Sequence, residues 1–261
     1  MSDTLQTKGK LYLVPAPLDF GCATQSSITD VLPELTLRTA ARLQHWVCEN
    51  AKSTRAYLKR VGEHFPLAAP IQQQHLQELP REAHKKGDHG GKDGAVFDAK
   101  ALLAPALAGH DMGLVSEAGM PAVADPGSSI VRAAHDAGIA VVPLVGPVSL
   151  LMTLAASGLN GQNFAFVGYL PLDAAQRVQR IKELEQLALR HNQAQLFIET
   201  PYRNPALWQA LLAAVQPNTR LVMASGLTLE SARIQSRSAK DWKKLGVEPD
   251  NRTPVVFALG Q

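Results

Sequence analysis

A chain of 261 residues with 46% hydrophobic and 19% charged residues has ample apolar material for one large core or two ordinary ones, which excludes a disordered protein. The formal charge of +3 and an isoelectric point near 8.9 permit an anionic partner but fall short of the dense basic stripe of a dedicated nucleic-acid binder. The opening Met1–Lys8 lacks the apolar stretch of a secretory signal, no apolar run approaches the ~20 residues of a membrane helix, and Cys22 and Cys48 suit reduced thiols. The expectation is a cytoplasmic protein with no membrane partner.

In chain order, Leu11-Tyr-Leu-Val14 is a short β-prone run, and the prolines of Pro15-Ala-Pro17 end it in a loop. From Val31 to Leu58 the spacing predicts helix, with Leu35, Leu43, Trp46 and Val47 turned inward. Residues 85–94, polar and glycine-rich, predict a surface loop. Gly113-Leu-Val-Ser116 is a strand, followed by a loop with Gly119 and Pro121. Asp125 and Pro126 suit the N-cap and first position of a helix that Gly138 stops. Ile139–Val145 is the apolar run of a buried parallel strand, and Gly146-Pro147 opens another helix, closed by Gly158. Strand, helix and strand make a βαβ unit.

The second half predicts strands at Phe164–Val167, Ala194–Ile198, Leu221–Ala224 and Pro254–Ala258. Between them fall helices at Ala174–His191, with Val178, Ile181, Leu184 and Leu187 or Leu189 inward, and at Pro205–Val215. The reading is an α/β chain of two domains, 1–146 and 147–261.

Two loops leave the carboxyl ends of strands in the first half, Glu117–Gly127 and Gly146–Ser149. In open α/β sheets ligands bind outside those ends, where glycine lets the backbone approach a ligand closely. On spacing alone, tight βα turns and a ligand site are equally good readings.

Ser116-Glu-Ala-Gly-Met-Pro-Ala-Val-Ala-Asp-Pro-Gly127 closely resembles the Ser-Asp-Ala-Gly-Thr-Pro-Gly-Ile-Ser-Asp-Pro-Gly signature of the tetrapyrrole methylase-like superfamily, in its branch that includes the ribosomal small-subunit RNA 2′-O-methyltransferases. Three more blocks follow the same order. Leu11–Pro17 looks like that family's opening strand and Val-Pro-Thr-Pro loop, Leu144-Val-Gly-Pro147 its Leu-Pro-Gly-Pro, and Phe197-Ile-Glu-Thr-Pro-Tyr-Arg203 its Tyr-Glu-Ser-Pro-His-Arg. The resemblance implies two α/β domains with a cleft between them that holds S-adenosylmethionine, and a homodimer. By position it puts Pro15, Gly119, Ala122, Val123, Pro147, Val148 and Ser149 at the cofactor and Glu199, Tyr202 and Arg203 at the substrate. Arg203 then either holds an anion or is neutralised by Glu199.

The departures lie in the first half. Glu117 stands for the family's Asp, Met120 for its Thr and Ala122 for its Gly; Leu18–Leu32 does not reproduce its first loop, and Cys48–Arg55 keeps only the outline of its Ala-Glu-Asp-Thr-Arg block. Glu117 and Glu49 are weak candidates for the base that takes an acceptor's proton. The acceptor reads first as ribosomal RNA. A tetrapyrrole-like small molecule, or a cofactor-binding protein without catalysis, are the alternatives. His75, His84 and His89 lack zinc spacing, so no metal is expected. Gly87–Lys92 fails as a phosphate loop. The basic run Arg233, Arg237, Lys240, Lys243 and Lys244 reads as a solvated face, with contact to RNA as the alternative.

Overall fold

The computed structural model describes residues 7–19, 22, 24–80 and 98–261. The predicted loop at 85–94, with His84 and His89, lies outside the described residues. The chain divides into two compact units, the main body of the first ending at Val148 and that of the second beginning at Ser149.

The first unit is built on a parallel sheet of order β3-β2-β4-β1-β5, from β1 (Leu11–Leu13), β2 (His45–Cys48), β3 (His75–Glu78), β4 (Met112–Val115) and β5 (Val141–Pro143). Side chains alternate across it. Tyr12, Trp46, Cys48 and Val115 enter one core, while Leu11, Val47, Met112 and Leu114 enter another on the opposite face. Gly113 pairs with Trp46, and a Cβ on Gly113 would overlap the indole ring. The buried indole N–H is satisfied by Gln74 Oε1 at 3.0 Å.

Four expectations are corrected here. The run from Val31 to Leu58 is not one helix. It holds α1 (Ile28–Val31), α2 (Glu34–Arg42), the central strand β2 and α3 (Ala51–Gly62), whose N-terminus is capped by Asn50 Oδ1 accepting from the backbone N–H of Lys52 and Ser53. Leu35 is 71% exposed, because α2 turns Leu37, Ala40 and Ala41 inward instead. Beyond α4 (Ala104–Leu107), Asp125 caps nothing: α5 (Ser128–Asp136) starts after Gly127, whose φ of +132° only glycine takes readily. Lastly, β5 is a three-residue edge strand with no fully buried residue and Val145 is 71% exposed, so the apolar run 139–145 does not form a buried strand.

The second unit is a mixed sheet of order β6-β7-β10-β8-β9. Its strands are β6 (Phe164–Tyr169), β7 (Ala194–Ile198), β8 (Arg220–Ser225), β9 (Arg233–Ser238) and β10 (Val255–Gly260), with only β6 and β7 parallel. Helices α6 (Ser149–Ser157), α7 (Ala174–His191), α8 (Asn204–Ala214) and α9 (Ala239–Leu245) pack with it. Asp173 caps α7, and Asn192 ends it in the left-handed conformation. On α7 the buried positions are Ile181, Leu184, Glu185 and Ala188, while Leu187 is exposed. Glu185 tolerates burial because its carboxylate accepts from the N–H of Gln216 and the hydroxyl of Thr219. The core gathers Phe197, Phe257, Trp208 and Trp242, the two indoles meeting edge to face at 4.9 Å. Strand β9 and helix α9 were missed because their sequence is polar.

Candidate functional site

Three loops of the first unit leave the carboxyl ends of β1, β4 and β5 and meet. The loop after β1 exchanges two backbone hydrogen bonds with the loop after β4, Ala16 N–H to Gly119 O and Gly119 N–H to Ala16 O, both 2.9 Å. A Cβ on Gly119 would stand 3.7 Å from the carbonyl oxygen of Pro147 in the loop after β5. Gly146 lies flat against Pro15, where a Cβ would come within 2.5 Å of Pro15 Cβ and closer still to its Cγ. Thr36 Oγ1 donates to Val145 O at 2.7 Å, tying that third loop to α2. Pro15, Gly119 and Pro147 are thus brought into one cluster.

The Ser116–Gly127 loop follows a path few side chains allow. Gly119, Ala122 and Ala124 have φ of +74°, +65° and +65°, so two alanines hold a left-handed conformation that usually costs a non-glycine residue about 1 kcal/mol or more. Val123 is held outward at 40% exposure. The first loop is fixed by Asp19, whose carboxylate is paired at 3.2 Å through both oxygens with Arg60 of α3, while Arg60 also donates to Ser26 O at 2.6 Å. This clamp holds a loop that departs from the family pattern.

Carboxylates gather behind the loops. Glu49 Oε2 accepts from the Glu117 N–H at 3.0 Å, joining the end of β2 to the start of the Ser116–Gly127 loop. Burial, and then the negative charges of Glu49 and Glu117, push the Asp125 carboxyl up to about 8. Asp125 is the residue that sequence reasoning missed at this site. Its place after two alanines of positive φ, beside Gly127, is not readable from periodicity, although the Asp-Pro-Gly block marks it as part of the signature. Next to Glu49, burial pushes the Cys48 thiol up to about 11, so it is inert near neutrality.

In the second unit, Glu199 is spent on its own turn. Its Oε1 accepts from the Thr200 N–H at 2.7 Å and from Arg203 Nε at 3.0 Å, with Arg203 Nη2 at 2.8 Å. The guanidinium also lies 5.2 Å from the ring of Tyr202, which is itself 68% exposed. Of the two readings of Arg203, the ion pair with Glu199 is present. Val148 closes the first unit, and Ser149 begins α6 in the second.

At the opposite end of the first sheet, His75 stacks on His45 at 4.8 Å and His110 lies 5.1 Å from His45. Burial and the two neighbouring imidazoles hold His45 below its usual value. Among the described residues no group of side chains is arranged to hold a metal ion, and no helix is long and apolar enough to cross a membrane. Neither cysteine is joined in a disulfide.

Along the chain, then, a parallel sheet whose carboxyl-end loops converge is followed by a mixed sheet. The family model described as Tetrapyrrole (Corrin/Porphyrin) Methylases matches residues 33–241, and the chain belongs to that family. Among curated relatives, a ribosomal RNA small subunit methyltransferase I of Vibrio cholerae is 28% identical over 250 residues, 95% of this chain and 75% of the relative. One of Halalkalibacterium halodurans is 31% identical over 196 residues, 75% of this chain but 57% of the relative, so the aligned segment is well short of that protein's length. A solved uroporphyrin-III C-methyl transferase of Thermus thermophilus, complexed with S-adenyl homocysteine, shares the fold with a TM-score of 0.50 at 16% identity, covering 97% of this chain and 98% of that one.

Proposed function

We propose that the chain transfers the methyl group of S-adenosylmethionine to ribosomal RNA. The observation that carries this reading is the convergence of the loops after β1, β4 and β5 through the Ala16–Gly119 hydrogen bonds. The names of the relatives, methyltransferases of ribosomal RNA, support the acceptor. The residues present fit the donor. Gly119 and Gly146 let the three loops pack backbone to backbone, Ala122 adds little bulk beside them, the exposed Val123 and Val145 offer apolar cover, and the buried Ser116 hydroxyl has no hydrogen-bond partner among the described residues. Pro15, Gly119, Ala122, Val123, Pro147, Val148 and Ser149 would hold it, largely through main chain.

When bound, the sulfonium supplies an electrophilic methyl with a good leaving group. The chain's own residues then align the acceptor, exclude water and take a proton. Glu49 keeps the Ser116–Gly127 loop in place through its hydrogen bond to Glu117, and Glu117 and Glu49 stay the candidates for the proton acceptor. Glu199 acts by holding Arg203, so the outer edge of the guanidinium and the exposed Tyr202 ring are what the second unit offers the substrate. The reading includes a homodimer, on the strength of the family resemblance, acting in the cytoplasm, as the composition suggests.

Calorimetry is expected to show micromolar binding of both S-adenosylmethionine and its demethylated product, about −8 kcal/mol each. Methyl-labelled donor is then expected to mark the RNA of purified small ribosomal subunits. Absence of heat from either nucleoside overturns the donor. Binding with label in a tetrapyrrole instead of RNA overturns the acceptor, and binding with no transfer at all leaves a cofactor-binding protein without catalysis.

A further inference from the structure

We infer that the outer edge of the second unit, strand β9 with helix α9, is the surface on which the sugar-phosphate backbone of the RNA docks; this rests on RNA being the acceptor. Between Arg233 and Leu245 the chain places five cations, Arg233, Arg237, Lys240, Lys243 and Lys244, against one carboxylate, Asp241. The formal excess of the whole chain is +3, so this strand and helix hold more positive charge than the chain's entire surplus.

The fold lines these charges up. Arg233, Gln235 and Arg237 alternate onto one face of β9, opposite Ser225, Met223 and Leu221 of β8. Leu221 and Met223 lie in the core that Ala239 and Trp242 of α9 complete, so strand and helix present their cations along the same border of the unit. All five are exposed. Lys240 donates to Asn218 Oδ1 at 3.0 Å and Lys244 stands 3.9 Å from Asp241, which also draws on Arg237 and accepts from the Ser238 hydroxyl. Asp241 therefore offsets only a fraction of the row, and Arg233 and Lys243 are exposed with no ion-pair partner among the described residues.

Two plainer explanations account for part of this. Charge on an edge strand discourages pairing with another sheet, which suits Arg233 and Arg237. Lysines in the last turn of a helix complement its dipole, which suits Lys243 or Lys244. Neither explains why the row continues from strand to helix, roughly 13 Å along β9 and about 6 Å along α9. A polyanion that spans both elements does explain it, and RNA releases counterions at each phosphate so neutralised.

The test compares the wild-type chain with the triple variant Arg233→Thr, Arg237→Thr, Lys243→Gln. Fluorescence anisotropy with a labelled single-stranded RNA oligonucleotide, across a salt titration, is run beside methyl transfer to purified small ribosomal subunits. The variant is expected to bind the oligonucleotide at least about 10-fold more weakly, with the slope of log affinity against log salt shallower by about 2, while its S-adenosylmethionine affinity and melting temperature match wild type. Unchanged RNA affinity and slope in a variant that melts normally overturn the docking surface even if wild type methylates RNA. An acidic polyglutamate that displaces RNA at equal anion concentration overturns RNA as the occupant in favour of a protein. Loss of RNA affinity in the variant, with no transfer to ribosomal RNA by wild type, sustains the surface and refutes the acceptor, so the two failures are told apart.

Discussion

Replacing Gly146 by alanine is expected to lower the melting temperature by roughly 4–8 °C and to weaken S-adenosylmethionine binding at least about 10-fold. The added methyl would come within 2.5 Å of Pro15 Cβ, closer to Pro15 Cγ, and 3.1 Å from Leu32 Cδ2. Proline cannot swing aside as a long side chain does, and Leu32 is fully buried. Relief must come from the backbone, by parting the loop after β5 from the loop after β1. Overpacking of this kind costs about 1–3 kcal/mol. The parting also disturbs the main-chain surface proposed to receive the donor. Gly161→Ala is the control, since a Cβ there meets nothing within 4 Å. Differential scanning calorimetry and nucleoside titration on both variants check the claim, and a Gly146→Ala protein that binds S-adenosylmethionine as tightly as the control would remove Pro15 and Pro147 from the donor site.

What the sequence made legible is what depends on neighbours in the chain. Helix 174–191 and strand 194–198 show their full period within one element, and their ends carry their own signals, Asp173 as a cap and Asn192 as a stop. The strand β2 was hidden because four residues between two helices are too few to break a helical spacing, and only pairing with β4 and β3 makes His45–Cys48 extended. The polar strands β3 and β9 lie at sheet edges, where one side of the ladder is open and hydrophobic alternation is not required.

The site divides in the same way. The glycines and prolines of the loops after β4 and β5 announce close backbone approach, while Pro15 was set beside Gly119 and Pro147 only by the family resemblance. The hydrogen bond from Glu117 to Glu49 joins residues 68 apart in sequence, and nothing local foretells it. The same holds for Asp125. An Asp-Pro pair ahead of a helix has the form of a cap, and only the φ of Gly127 reveals that the helix begins later and leaves the carboxyl among other acids.

The second large effect follows from that displaced carboxyl. Asp125→Asn is expected to stabilise the protein, and by more at pH 7.5 than at pH 5. The folded-state value of about 8 lies above the ordinary 3.8, so the fold favours the protonated form. Below pH 4 the folded and unfolded chains both carry the proton and Asp125 costs nothing. As pH rises from there towards 8, the unfolded chain releases its proton while the folded one retains it, and stability falls throughout that window. At 1.36 kcal/mol per unit, the variant's advantage should grow by about 3 kcal/mol between pH 5 and pH 7.5, or roughly 6–12 °C in melting temperature. The causes of the shift add a second test. Burial contributes most, followed by the charges of Glu49 and Glu117. In a Glu49→Gln background the pH-dependent part of the Asp125→Asn effect should therefore shrink but persist. A gain from Asp125→Asn that is the same at both pH values would mean that Asp125 ionises normally, and that the negative charge beside the Ser116–Gly127 loop is shared by three carboxylates at neutral pH, not held by Glu49 and Glu117.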